Sequence, residues 1–206
     1  MNLNSYIGLM GHSWVEEEVW IGSDVLDPSA VGHQVLRRCW QGSVPDRVVR
    51  APDYILTLDA DSLLVPDYCV RLVHAMEQPG NERVAVIQTP YSSYKGAPSA
   101  LERVAGMTTD LQHLQHQGRT AFDATFWVGA NAVIRTAALD DIVEVRTEPG
   151  PAGPREIRTY IQDRTVIEDT ESSMDLVAKG WSLHNYAERL SYSATPADFA
   201  SLVVQR

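Results

Sequence analysis

Two aspartates one residue apart follow a short apolar run in Leu58-Asp59-Ala60-Asp61-Ser62. Carboxylates at i and i+2, where a strand opens into a loop, can converge on one hard cation, Mg²⁺ or Mn²⁺. Mg²⁺ takes one or two carboxylates and fills its shell with substrate phosphate oxygens, so Asp59 and Asp61 suit a nucleotide diphosphate better than a metal alone. The competing reading is a solvated turn in which Asp61-Ser62 caps the next helix. A second acidic cluster gathers Asp163, Glu168, Asp169 and Glu171 around the start of a helix in Val166-Ile167-Glu168-Asp169-Thr170-Glu171. Its ordinary reading is an acidic first turn favoured by the helix dipole. Its chemical reading is a general base, for which Asp169 at the helix entrance would face the strand ends.

Weaker candidates surround these. Gln205-Arg206 supplies an amide and a guanidinium suited to diphosphate oxygens, or simply a solvated end. Phe126-Trp127-Val128-Gly129-Ala130-Asn131 combines aromatic faces with a tight turn, either a sugar-stacking platform or core packing. Cys39 and Cys69 are too few for a thiolate zinc site or a disulfide framework, and reduced thiols are the default reading. His113 and His116 lie i, i+3 on a predicted helix without a carboxylate ligand pattern, and are expected at the surface or in a groove.

The elements that must position these groups follow from periodicity. Residues 1–14 show no clear pattern. Val19–Ile21 reads as a short strand, and Val31–Trp40, with apolar positions 31, 35, 36 and 39, as a short helix. Tyr54–Leu58 is nearly all apolar, as a strand covered on both faces should be. Pro66–Met76 reads as a helix with Cys69, Leu72, Val73 and Met76 on one face. Val84–Gln88 is a buried strand and Ser99–Gln117 a long amphipathic helix. Phe126–Val128 and Ala132–Ile134 read as extended pieces around a turn. Residues 147–154 are the most loop-like stretch, Asp169–Lys179 is helical with Gly180 as its stop, and Trp181–Tyr186 is a strand. Strands alternating with helices predict an α/β sheet with parallel members.

At 206 residues, with 44% hydrophobic and 21% charged residues, the chain is an ordinary globular protein of one domain. Its net charge of −10 repels a polyphosphate backbone, which excludes general nucleic-acid binding. A nucleotide carried on a divalent cation is not excluded, because the metal reverses the local sign. No apolar run approaches the 18 or so residues of a membrane span, so the chain as written is expected to be soluble. Its abrupt ends are those expected of a piece of a longer protein.

The order of motifs ILTLDADSLLVPDY (55–68), VIQTPYSSY (86–94), FWVGANAVIR (126–135), VIEDTESSMDLVAKGW (166–181) and YAERLSYSATPADFASLVVQR (186–206) resembles the processive family 2 glycosyltransferases. Within that family it is most similar to the bacterial cellulose-synthase-like enzymes. The resemblance covers about residues 53–206 and implies a GT-A fold, a nucleotide-binding α/β sheet with flanking helices. It implies that Asp59 and Asp61 hold UDP and a divalent metal, Mg²⁺ or Mn²⁺. It makes Asp169 the base that deprotonates the acceptor hydroxyl, in a Thr-Glu-Asp motif that here reads Ile167-Glu168-Asp169. It assigns Phe126, Trp127 and Gly129 to the acceptor, and Gln205 and Arg206 to the start of a Gln-x-x-Arg-Trp motif that grips the diphosphate.

Two departures stand out. The family's early uridine-contacting aspartate and Lys-Ala-Gly stretch are not plain in residues 1–52, where Asp24 is a weak stand-in, so this part is expected to be an abbreviated nucleotide-binding portion. The family's membrane helices lie beyond Gln-x-x-Arg-Trp, which implies a parent protein at the cytoplasmic face of a membrane. The function implied is inverting transfer from a UDP-sugar to a glycan or other hydroxyl acceptor in polysaccharide or cell-envelope synthesis. Two alternatives remain on sequence grounds. One is a haloacid-dehalogenase-like Mg²⁺ phosphatase, with Asp59 as nucleophile, Asp61 as acid/base and Glu168-Asp169 on the metal. The other is a non-catalytic nucleotide- or carbohydrate-binding piece.

Overall fold

The computed structural model describes residues 3–21, 31–39, 42–89, 91–149, 154–162, 164–165 and 167–205. Contacts divide the chain into two units, Met1–Pro52 and Asp53–Arg206. The first unit holds helix α1 (Leu3–Ile7) and strands β1 (His12–Ile21), β2 (Val31–Arg38) and β3 (Arg47–Val49), in an antiparallel sheet of order β2-β1-β3. The helix expected over Val31–Trp40 is therefore a strand as far as Arg38, and Trp40 lies outside the described residues. Its apolar spacing fits a helix, but Val31 and Val35 are β-branched and Gly32 is a poor helix former. Eight consecutive residues pair with β1, from Trp14↔Arg38 to Ile21↔Val31, and this long-range ladder overrides the local period. The Arg38 guanidinium lies 5.9 Å over the Trp14 ring, whose indole donates to the Leu9 carbonyl. The short strand expected at Val19–Ile21 is the end of the ten-residue β1.

The second unit contains, in order, β4 (Tyr54–Thr57), β5 (Leu63–Leu64), α2 (Tyr68–Met76), β6 (Val84–Gln88), β7 (Tyr91–Ser93), α3 (Ala100–Thr120), β8 (Ala132–Arg135), α4 (Thr136–Ile142), β9 (Glu144–Glu148), β10 (Arg155–Thr159), α5 (Glu168–Ala178), β11 (Ser182–Asn185), β12 (Ser191–Ser193) and α6 (Phe199–Gln205). The main sheet has the order β11-β6-β8-β4, a small sheet the order β5-β12-β7, and β9 and β10 form an antiparallel hairpin. The α/β, GT-A-like architecture expected from the sequence is present.

Its sheet is mixed rather than parallel throughout. β11 and β6 are parallel, while β8 runs antiparallel to both β6 and β4. β4 is thus an edge strand, with Ile55 and Thr57 buried and Tyr54 and Leu56 only half-buried, not a strand covered on both faces. β6 is buried along its whole length, as its unbroken apolar run requires.

The core joins Tyr68, Leu72 and Met76 of α2 to Val84, Ile87, Val133 and Leu190. Tyr68 rather than Cys69 opens the buried stripe, and the Cys69 thiol is exposed. Helix α3 begins at a capping box: the Glu102 amide donates to Ser99 Oγ and the Ser99 amide to Glu102 Oε2. These bonds hold the Glu102 carboxyl below its usual range, so their contribution is present at neutral pH and fades as pH falls through the lowered pKa. Ser99→Ala is expected to cost about 1 kcal/mol of stability in a urea titration.

Of the loop-like stretch 147–154, residues 147–148 end β9, residues 149 and 154 have no regular structure, and residues 150–153 lie outside the described residues. Two further expectations are corrected. Phe126–Val128 makes no sheet pairing. His113 and His116 are buried on the inner face of α3, at 6% and 3% exposure, not at the surface. His116 Nδ1 meets Thr125 Oγ1 at 2.6 Å and the ring stands edge-on to Phe126, while His113 Nδ1 meets the Asn185 amide at 2.7 Å. Burial pushes both imidazoles below their usual pKa, so they stay neutral in the core.

Candidate active site

The sheet register sets where the chemistry can occur. Thr57 pairs with Ala132, Ala132 with Gln88, and Gln88 with Asn185. Because β8 runs against its neighbours, this row marks the carboxyl ends of β4, β6 and β11 and the amino end of β8. The segments beyond it, 58–62, 89, 124–131 and 186–190, therefore leave from one edge. The carboxyl ends of co-directional strands are where α/β sheets place ligands.

Asp59 and Asp61 lie in the first of these segments, and both are exposed. The Ser62 amide donates to the Asp59 carbonyl and closes the turn. Asp61 is fastened on two sides: the Ala194 amide donates to its Oδ2 at 3.2 Å and the Tyr94 hydroxyl to its backbone carbonyl. Ser62 and Ser193 share a 2.5 Å hydroxyl contact. Partial burial, and then the charge of Asp61, raises the Asp59 carboxyl above its usual range. Two carboxylates that repel each other and keep open coordination positions fit a divalent cation shared with phosphate oxygens. Among the described residues, no group of three or more His, Cys, Asp or Glu side chains forms a self-sufficient metal cage.

The second acidic motif reaches the same edge through residues 126–131. Gln88, the last residue of β6, holds this segment without a strand: its Nε2 donates to the Phe126 carbonyl at 2.9 Å and its Oε1 accepts from the Val128 amide at 3.0 Å. The Trp127 amide donates to Ser173 Oγ, and that hydroxyl donates to the Asp169 carbonyl. Gly129 has φ +90°, and a Cβ placed on it would sit 3.3 Å from Asp169 Oδ2. The glycine thus leaves the Asp169 carboxylate open towards the edge. Asp169 Oδ1 accepts from the Thr170 amide at 2.6 Å. Its half-buried carboxyl is raised, chiefly by burial, with the Thr170 bond opposing and Glu168 adding to the shift. Glu168 itself is exposed.

Not every candidate side chain faces this edge. Trp127 is only 2% exposed and its ring lies in the core, so it offers no stacking face. Phe126 is half-buried between His116 and the Arg119 guanidinium. Gln205 ends α6, the helix that follows Asp198, whose carboxylate accepts from the Ser201 amide and hydroxyl. Arg206, Asp24 and Asp163 lie outside the described residues.

Other residues at the edge escaped sequence reasoning. Asn131, at φ +54°, turns its carbonyl to accept from the Tyr68 hydroxyl at 2.6 Å and the Thr89 amide at 3.0 Å, and Thr89 Oγ1 donates to the Tyr68 hydroxyl. The only sequence signal was an Asn after Gly-Ala, a residue that tolerates left-handed backbone. Gln88, a polar residue ending an apolar strand, was a second missed signal.

A mixed α/β sheet with acidic motifs on the loops beyond the carboxyl ends of its strands agrees with the glycosyltransferase resemblance of the sequence. The family described as "Glycosyl transferase family group 2" matches residues 54–206, and the chain belongs to that family. Among curated relatives, it is 32% identical over 178 residues to glucans biosynthesis glucosyltransferase H of Caulobacter vibrioides, covering 78% of this chain and 24% of the relative. It is 26% identical over 135 residues to cellulose synthase 1 catalytic subunit [UDP-forming] of Komagataeibacter xylinus, covering 63% of this chain and 16% of the relative. A glucans biosynthesis glucosyltransferase H from Bradyrhizobium diazoefficiens is 35% identical over 106 residues, covering 48% and 14%. The chain thus spans under a quarter of the length of these relatives. No helix among the described residues is long and apolar enough to cross a membrane.

Proposed function

We propose that this chain carries the catalytic part of an inverting glycosyltransferase that moves a sugar from a UDP-sugar to a glycan hydroxyl in polysaccharide synthesis. The observation that supports this most is that the loop carrying Asp59 and Asp61 and the Gly129 turn that lies against Asp169, over a hundred residues further along the chain, leave the same end of the main sheet. Asp59 and Asp61 would hold Mg²⁺ or Mn²⁺, which neutralises charge on the leaving diphosphate. Asp169 accepts the proton of the acceptor hydroxyl. That oxygen bonds to the anomeric carbon while the bond to the diphosphate breaks, and UDP leaves with the electron pair. One displacement inverts the anomeric centre. Gly129 gives the acceptor access to Asp169, and Gln88, Ser173 and Tyr68 hold the segment that carries it. Nothing in the fold or in the relatives supports the phosphatase alternative.

The test is a Mn²⁺-dependent titration of the chain with UDP, ADP and GDP. UDP is expected to bind preferentially, and Asp61→Ala to weaken it by about tenfold or more. Equal binding of all three nucleotides, or unchanged UDP binding in the variant, would overturn the donor assignment.

A further inference from the structure

A cavity of about 540 Å³ opens beside the Asp59/Asp61 loop, between β7, the turn over residues 94–97, the first half of α3 and β12. Its lining includes Lys95, Arg103 and Arg189 against a single carboxylate, Asp110. Three cations in one concavity are unexpected in a chain of net charge −10.

The cations are not equivalent. Arg189 is occupied: its Nη2 lies 3.1 Å from Asp110 Oδ1, its Nη1 donates to Ser92 Oγ, and Ser92 Oγ donates to Asp110. Lys95 and Arg103 have no ion pair among the described residues. Lys95 Nζ lies 5.4 Å from the centre of the Tyr192 ring, and Arg103 Nη1 donates to the Ala97 and Pro98 carbonyls at 3.1 and 3.2 Å. Glu102 is engaged in the cap of α3 and feels the Arg103 charge without pairing with it. Elsewhere in the unit, Arg71, Arg135 and Arg164 each hold a carboxylate.

The walls are set firmly. Gly106 of α3 packs so close to β7 that a Cβ there would lie 2.6 Å from Ser93 Oγ. Tyr94 ties the turn to the Asp61 carbonyl. Two cations without an ion pair on one concave wall, Lys95 beside the Tyr192 ring and Arg103 on two backbone carbonyls, match the oxygens of a phosphate. The volume exceeds what inorganic phosphate needs and falls within the usual range of small-molecule pockets.

We propose that this cavity is a second anion site, which takes a phosphate-bearing ligand on Lys95 and Arg103 independently of Asp59 and Asp61. It goes beyond the donor assignment and does not rest on it. The phosphate belongs to a phosphoester other than the donor's own diphosphate, and competition distinguishes the two sources. The probe is inorganic pyrophosphate, titrated into the 206-residue chain with divalent metal removed and followed by ³¹P NMR. Saturable binding is expected, weakened about tenfold or more by Lys95→Met with Arg103→Met. Both side chains are exposed, and an unchanged melting temperature checks that the variant folds. Arg155→Met with Arg158→Met, which removes two cations from the β9–β10 hairpin, is expected to leave binding unaltered. Asp61→Asn, and saturating UDP with Mn²⁺, are expected to leave it unaltered too. Absence of saturable binding, equal loss in the hairpin variant, indifference to Lys95 and Arg103, or loss on Asp61→Asn or on adding UDP would each overturn the second site. The donor assignment is read separately, from Mn²⁺-dependent UDP binding that needs Asp61 and not Lys95.

Discussion

Asp169→Asn, made in the full-length protein, is expected to cut sugar transfer by about a thousandfold or more while leaving UDP binding within about twofold. The amide keeps the size and most of the hydrogen-bonding shape of the carboxylate but cannot accept the acceptor's proton. The Thr170 amide can still donate to the side-chain oxygen of Asn. The expected stability change has the opposite sign. Burial raises the Asp169 carboxyl, so the folded state holds its proton to a higher pH than the unfolded chain does. Stability is then lost as pH rises through that window and regained as pH falls, which makes the ionised carboxylate a local cost at neutral pH. Asn removes this cost, so the variant is expected to melt at the wild-type temperature or above it. The same raised pKa predicts that wild-type transfer declines on acidification at a higher pH than an ordinary aspartate would give. A variant that transfers sugar at the wild-type rate would remove Asp169 from the mechanism. So would a loss of activity that simply tracks a lowered melting temperature.

Gly129→Ala is expected to combine two costs that a second glycine separates. Gly129 sits at φ +90° and Gly80 at φ +94°, so alanine at either position meets nearly the same backbone strain, about 1–2 kcal/mol. The surroundings differ. A Cβ on Gly80 meets nothing within 4 Å, whereas one on Gly129 sits 3.3 Å from Asp169 Oδ2. Gly80→Ala should therefore lower stability in urea and leave transfer intact. Gly129→Ala should lower stability at least as much and reduce transfer by about ten- to a hundredfold, because the base is pushed from its position and the acceptor's approach is narrowed. Equal transfer in the two variants would mean that Gly129 serves only the turn.

Much of the fold could be read from local pattern. β6 follows from an unbroken apolar run and α3 from its amphipathic pattern, each complete within its own segment. Helix α5 with its Gly180 stop was legible for the same reason. Where local pattern and distant pairing disagreed, the distant pairing won. Residues 31–38 have helical apolar spacing but lie against eight residues of β1. Phe126–Val128 looks like a strand but is held by the side chain of Gln88. His113 and His116 look like surface polar residues until Thr125, Phe126 and Asn185 close over them.

The same division runs through the candidate site. Asp59 and Asp61 are neighbours in the chain and follow a recognisable strand, so their pairing needs no tertiary information. That the Asp169 carboxylate lies against the Gly129 turn does need it. Forty residues separate Asp169 from Gly129, and only the antiparallel entry of β8, the Ser173 hydroxyl and the left-handed corner at residues 129–131 bring the two together. Side-chain type and short spacing are properties of the chain alone. The direction of a strand in a sheet, and the face from which a buried amide reaches a neighbouring backbone, depend on contacts that exist only once the chain has closed on itself.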